Sequence, residues 1–188
     1  MFVSKYLVNR QRITDAGKIQ PALDKYFPDA KGKSPKCFFR LEWYRIGISI
    51  PMIAYSSEYP KQELRPECQL IEVQELEPIS AKTKELNFKI FIAPSKSLEK
   101  CEDWEDEDIV KFLGKKLEGC AKIISSEVGP NNRLYFKSSP EDINMTQLQV
   151  YNIKGKIKVL DVKKLDKLRS KPIGYHSELG LGLLLLEE

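Results

Sequence analysis

The hydrophobic period of the second half of this chain switches repeatedly between that of a strand and that of a helix, and few folds accept the resulting order. Leu86, Phe88, Ile90 and Ile92 alternate along residues 86–93, marking one face of a strand. Ile109, Val110, Phe112, Leu113 and Leu117 then recur at helical spacing. The acidic run 102–108 opens that helix, where carboxylates suit the positive end of its dipole, and Gly119 ends it. Residues 121–128 form a strand, Gly129-Pro130-Asn131-Asn132 a turn, and residues 133–137 a short return strand. Residues 147–160 form a long strand with Gly155 in its middle. Asp161 suits the N-cap of a helix over residues 162–169, and an apolar strand over 181–186 closes the chain. The order β-α-β-(β)-β-α-β is the ferredoxin-like pattern.

The first half reads as a degraded version of it. Residues 2–9 form a strand, and Ile19, Ala22, Leu23, Tyr26 and Phe27 a short amphipathic helix stopped by Pro28-Asp29. Strands follow over residues 37–43, 48–55 and 69–76, with a long polar link before the last. The fold class is α+β: two tandem ferredoxin-like domains, each an antiparallel sheet with helices on one face. The domains are expected over 1–80 and 85–188, with a linker between them and a glycine-rich loop over 172–182. The halves share element order but no strong sequence repeat.

Composition narrows the class of partner. The 188 residues are 41% hydrophobic, enough for packed cores, and 31 Lys plus Arg face 27 Asp plus Glu. A net charge of +4 permits nucleic-acid binding, but the basic footprint must then come from local clustering. No stretch approaches the roughly 20 apolar residues of a membrane span. The N-terminus lacks the cationic and apolar regions of a signal peptide, so a cytoplasmic protein with no membrane partner is expected. Cys37, Cys68, Cys101 and Cys120 are widely spaced, which favours reduced, mostly buried thiols over zinc or disulfides. The carboxylates of 102–108 lack the glycine spacing of a calcium loop. There is no phosphate-binding GxxxxGK[ST] motif, and neither a metal nor another cofactor is expected.

Cations cluster on two strands. Lys154, Lys156 and Lys158 alternate, so they point the same way. They would either meet an anionic partner or form a solvated face that discourages edge pairing. Arg133, Tyr135 and Lys137 alternate on the short strand after the turn. The helix 162–169 and its flank carry Lys163, Lys164, Lys167, Arg169 and Lys171; for Lys163 and Lys167 a charged outer face paired to Asp166 is the simpler account. The loop 31–36 is basic, either touching phosphate or solvated. Near the C-terminus, Gly174, Gly180 and Gly182 surround a polar turn holding His176, the only histidine. Glycines there admit close backbone approach, by a ligand or by another segment of the fold.

This ending, apolar-Gly followed after a polar turn by Leu179-Gly180-Leu181-Gly182-Leu183-Leu184, resembles the glycine-rich loop of the CRISPR repeat-RNA processing endoribonucleases of the CasE type. The strand around residues 150–160 with its basic helix, Val8-Asn9-Arg10, and Phe38-Phe39-Arg40-Leu41-Glu42 are similar to that family in the same order. The resemblance implies two ferredoxin-like domains that grip the repeat hairpin of CRISPR RNA. It implies metal-independent cleavage by the 2′-hydroxyl, and retention beside other subunits of a CRISPR surveillance complex. It implies RNA contacts from Arg133, Lys137, Lys154, Lys156, Lys158, Gly174, Gly180 and Gly182. The family's basic histidine, and the tyrosine three residues before it, fall on Gln20 and Gly17. A glutamine amide does not titrate. Pro21 should start the helix near Gln20, so the turn that presents the histidine is expected to be missing. His176-Ser177-Glu178 stands where the family often carries a lysine or arginine. His176 is then either the relocated catalytic base or a solvated turn residue, and Lys18 and Tyr26 read as ordinary surface and core. Three functions are weighed: a processing endoribonuclease, an inactive RNA-hairpin clamp, and a double ferredoxin-like module that binds protein.

Overall fold

The computed structural model describes residues 1–27, 37–42, 48–96, 104–130, 132–137 and 143–187. The basic loop 31–36, the start of the acidic run, Trp43, Gly47, Cys101 and Asn131 lie outside the described residues. Two compact units are present: residues 1–76 with 135–146 and 178–180, and residues 77–134 with 147–177 and 181–188.

The first unit is built on β1 (Phe2–Asn9), β2 (Cys37–Leu41), β3 (Ser49–Ser56) and β4 (Cys68–Glu75). All pairings are antiparallel and the strand order is β2-β3-β1-β4. That is the ferredoxin-like arrangement, with the segment between β3 and β4 irregular where a second helix would lie. A 3₁₀ turn, Ala16–Lys18, runs directly into α1 (Ile19–Asp24). Asp15 caps the turn by accepting from the Gly17 N–H at 2.9 Å. The turn expected to be missing before Pro21 is therefore present. Proline is accommodated because it falls within the first α turn, where N–H groups have few helical partners to lose.

Tyr26, at the end of this segment, is fully buried. Its ring meets Tyr6 edge-on at 5.3 Å, and its hydroxyl donates to the Cys68 carbonyl. Burial first, then the neighbouring Cys68 thiol, push the phenol from 10.0 up to about 12. Burial likewise pushes the Cys68 thiol from 9.0 up to about 12. The fold holds both groups neutral, so their contribution is whole below the unfolded values and is lost as pH rises through the folded ones. Urea midpoints should hold to about pH 9 and fall steadily toward pH 12. In Tyr26→Phe the fall should be shallower; an equal fall would mean that other groups control alkaline stability.

The second unit is built on β5 (Glu85–Ile92), β6 (Ala121–Val128), β8 (Thr146–Val159) and β9 (Leu185–Glu187), in the order β6-β8-β5-β9, with β7 (Asn132–Phe136) pairing β8 beside that path. This is the same ferredoxin-like order again. Two helices follow the pattern: α2 (Asp106–Leu117) and α3 (Val162–Arg169). Ile109, Leu113 and Leu117 of α2 are completely buried against Phe88, Ile90, Ile92, Ile153 and Ile157, each burial contributing about 1.5–3 kcal/mol. Asp161 caps α3 by accepting from the Lys164 N–H at 3.0 Å. Asp166 does not pair with Lys163 or Lys167. Arg169 takes it at 2.7 Å, donates to the Glu77 carbonyl, and is itself buried, while Asp166 also receives the Ile79 N–H. Arg169 thus ties α3 to the segment at 77–79 and is not part of an open basic surface.

The final strand is shorter than its apolar run. Leu181, Leu183 and Leu184 are buried, but the positive φ of Gly180 and Gly182 interrupts the extended backbone. The ladder with β5 begins only where Leu185 meets Lys89. No helix among the described residues is long and apolar enough to cross a membrane.

Candidate nucleic-acid interface

Register decides what the strand cations do. Lys154, Lys156 and Lys158 are all exposed on β8, while Ile153 and Ile157 on its other face are buried in the core. β5 places Lys89 opposite Lys154, Asn87 opposite Lys156 and Glu85 opposite Lys158. β6 places Glu127, Ser125 and Lys122 opposite the same three lysines. Directly opposed residues share a face, so five lysines converge on the side of the sheet away from the core. Glu85 and Glu127 join them from the flanking strands. The surface between them is a shallow depression of about 530 Å³ lined by Asn87, Lys89, Ser125, Lys154 and Lys156. Lys89 and Lys122 escaped the sequence reading because only pairing across strands brings them to this face.

The lysines are held loosely. Lys154 lies 3.1 Å from Glu127, Lys156 lies 3.4 Å from Glu85, and Lys89 lies 3.1 Å from Glu187. Every partner in these pairs is about half exposed, and such pairs contribute at most about 1 kcal/mol. Pairs this weak and exposed cost little to break, so the ammonium groups can turn to another anion. Successive lysines on β8 stand about 6.7 Å apart along the strand, a row suited to an extended chain of anions.

β7 and the residue that follows it carry the other predicted cations. Arg133 and Tyr135 are exposed and Lys137 is half-buried. With the Gln147 amide oxygen turned toward it, Arg133 donates from Nε at 2.8 Å and Nη1 at 2.9 Å. The backbone N–H of Lys137 donates to both carboxylate oxygens of Asp15 at 3.3 Å. Asp15 is buried and therefore fixes both the turn before α1 and the end of β7. Neither Asp15 nor Gln147 stood out in the sequence: each is an ordinary polar residue until the chain brings its partner to it.

The glycine-rich loop is pinned at its neck. Ile173 donates to the Gly182 carbonyl at 2.9 Å, and Gly182 donates to the Phe91 carbonyl at 2.6 Å. A Cβ on Gly182 would lie 2.5 Å from the Ile173 carbonyl oxygen, and one on Gly174 would lie 3.2 Å from that of Ala93. Gly180 belongs to the first unit, where a Cβ would lie 2.6 Å from the Phe39 ring. All three have positive φ, so packing and backbone conformation both require glycine, and Gly180 and Gly182 are buried. Buried as they are, Gly180 and Gly182 can offer a ligand only the shape they give the loop, whereas Gly174 is half-buried. What the loop displays is Tyr175, half-buried His176 and exposed Glu178, with a 3₁₀ turn at Ser177–Leu179. His176 takes φ 60°, an uncommon conformation for a side chain this size.

Gln20 and Gly17 bring no titratable group to α1 and the turn before it. Gln20 donates from Nε2 to Asp24 Oδ1 at 2.7 Å, and Gly17 has no side chain. Among the described residues, no group of three or more His, Cys, Asp and Glu side chains is placed to hold a metal ion.

The chain matches no family model, and no curated protein is significantly similar to it in sequence. Solved structures are similar to it along its whole length. The CRISPR endoribonuclease Cse3 bound to a 19-nucleotide RNA aligns with a TM-score of 0.83 at 18% identity, covering 100% of both chains. The CRISPR-associated protein Cas6e from Escherichia coli K-12 aligns at 0.80 and 18%, covering 100% of this chain and 99% of that one. A chain of a CRISPR RNA-guided surveillance complex aligns at 0.72 and 13%, with 100% and 99% covered. At these identities the likeness is one of fold: two tandem ferredoxin-like sheets.

Proposed function

We propose that this chain is a CasE-type CRISPR protein that binds the repeat hairpin of CRISPR RNA and processes the precursor without metal or other cofactor. It then remains in the cytoplasm as a subunit of a CRISPR surveillance complex. The observation that carries this reading is the end-to-end likeness to Cse3 and Cas6e, including a Cse3 with RNA bound. The converging lysines of β5, β6 and β8 support it physically, because A-form RNA is held largely through phosphate and 2′-hydroxyl groups. Arg133, Lys137, Lys154, Lys156 and Lys158 are the proposed RNA contacts, joined by the glycine-rich loop 172–182 that Gly174, Gly180 and Gly182 shape.

Cleavage of this kind moves one proton off the 2′-hydroxyl as it attacks the adjacent phosphorus. A second proton goes to the departing 5′-oxygen, leaving a 2′,3′-cyclic phosphate and a 5′-hydroxyl. His176 is the only imidazole in the chain and is the proposed base. A second reading, an RNA clamp that does not cut, is favoured by one observation: Gln20 is engaged with Asp24 and Gly17 has no side chain where the resembling family keeps its catalytic pair.

The test is incubation with the repeat RNA of the protein's own locus in EDTA, read on a denaturing gel beside a binding assay. The expected result is one cut with a cyclic phosphate end, abolished by His176→Ala. Tight binding without a cut selects the clamp, and the absence of both defeats the RNA reading.

A further inference from the structure

We propose that Gln147 is a positioning residue that holds Arg133 ready for an RNA phosphate. The inference rests on the RNA-binding reading above and goes beyond it. Arg133 lies exposed on β7, and Gln147 is half-buried near the start of β8, the strand with which β7 pairs. The orientation of the Gln147 amide is decided by its neighbours. In the reverse orientation its nitrogen would face only donors and its oxygen only acceptors. Turned correctly, one oxygen receives Nε and Nη1 of Arg133 at 2.8 and 2.9 Å.

Two consequences follow from the chemistry of the pair. A guanidinium has five N–H donors, so two bonds to Gln147 leave three for a ligand, still in a fixed plane. The acceptor is also a neutral amide, so the positive charge is kept whole. The neighbouring cations differ in this respect: Lys154 and Lys156 face carboxylates. An arginine held in place by a neutral group loses less side-chain freedom on binding and keeps its full attraction for an anion. The anion is a phosphodiester of the RNA backbone, since the deep, narrow major groove of A-form RNA resists reading by side chains.

The experiment measures affinity for the repeat-RNA hairpin across a salt series. The proteins are the wild type, Arg133→Ala, Gln147→Met, Gln147→Glu and the Arg133→Ala/Gln147→Met double variant, with a thermal midpoint for each. Arg133→Ala should bind roughly 10-fold more weakly, with a salt slope shallower by about one. Gln147→Met should bind about 3- to 10-fold more weakly with the slope unchanged, because the charge stays and only its placement is lost. It should add nothing in the Arg133→Ala background. Gln147→Glu should keep the arginine in place, neutralise it, and lower the slope as Arg133→Ala does. Wild-type affinity in Gln147→Met, or the same fold loss with and without Arg133, overturns the proposal. A wild type that binds while Arg133→Ala binds equally well also overturns it but leaves the RNA reading standing. A wild type with no salt-dependent binding defeats both.

Discussion

Replacing Gly155 with alanine lowers the thermal midpoint by roughly 10 °C, from a loss of about 3–4 kcal/mol. Gly155 sits in the middle of β8, opposite Phe88 on β5 and Ser126 on β6. The register of β6 shifts between Ile123 and Ser125, and the bulge there brings its backbone against Gly155. A Cβ at that position would lie 2.1 Å from the Ser125 carbonyl oxygen, 2.9 Å from Ser126 Cα and 3.0 Å from the Phe88 ring. Two of these neighbours are backbone atoms and cannot rotate away, so the strand pairing itself must give. Gly114 is the control. It lies inside α2 with nothing within 4 Å of an added Cβ, so Gly114→Ala should stabilise by up to about 1 kcal/mol. A Gly155→Ala protein that melts with the wild type would mean that β6 does not bulge against β8.

Removing the three β8 lysines together, as Lys154→Ala/Lys156→Ala/Lys158→Ala, weakens binding of the repeat RNA by about 100-fold at moderate salt. That is roughly 1 kcal/mol for each lost contact, after allowance for the weak ion pairs that Lys154 and Lys156 already make. The salt slope should fall by about 2–3. Stability should hold, because all three side chains are exposed and the ion pairs lost with them are weak. Lys163→Ala/Lys164→Ala/Lys167→Ala on α3 removes the same charge from a helix and should cost only a few-fold. Equal losses from the two triples would reduce the lysine row to bulk charge, and no loss from the first would place the RNA elsewhere.

Much of the architecture was legible because period and punctuation are local properties. The alternation of Leu86, Phe88, Ile90 and Ile92 marked β5, and Asp161 marked the start of α3 at the residue where the cap is seen. The element order then pointed to the ferredoxin-like sheets, since few arrangements bury such a series on one face. Less was legible where one local signal opposed another. Pro21 argued against a helical turn before it, yet the Asp15 cap and a 3₁₀ geometry supply one. The leucines at the C-terminus argued for a long strand, yet the glycines among them turn the backbone out of the ladder until Leu185.

By itself, the sequence determined the α+β class, the alternation that puts Lys154, Lys156 and Lys158 on one side of a strand, and the lone histidine in a glycine-rich turn. Those follow from backbone geometry within a few residues. Only the tertiary structure decided which groups those residues meet. It set Lys89 and Lys122 beside the lysine row, and carboxylates against Lys154 and Lys156. It also set an amide against Arg133, Asp15 against the end of β7, and Arg169 in a buried tie to residues 77–79. The reason is physical: strand register and long-range hydrogen bonds join residues as many as 122 positions apart, and no local pattern carries that information.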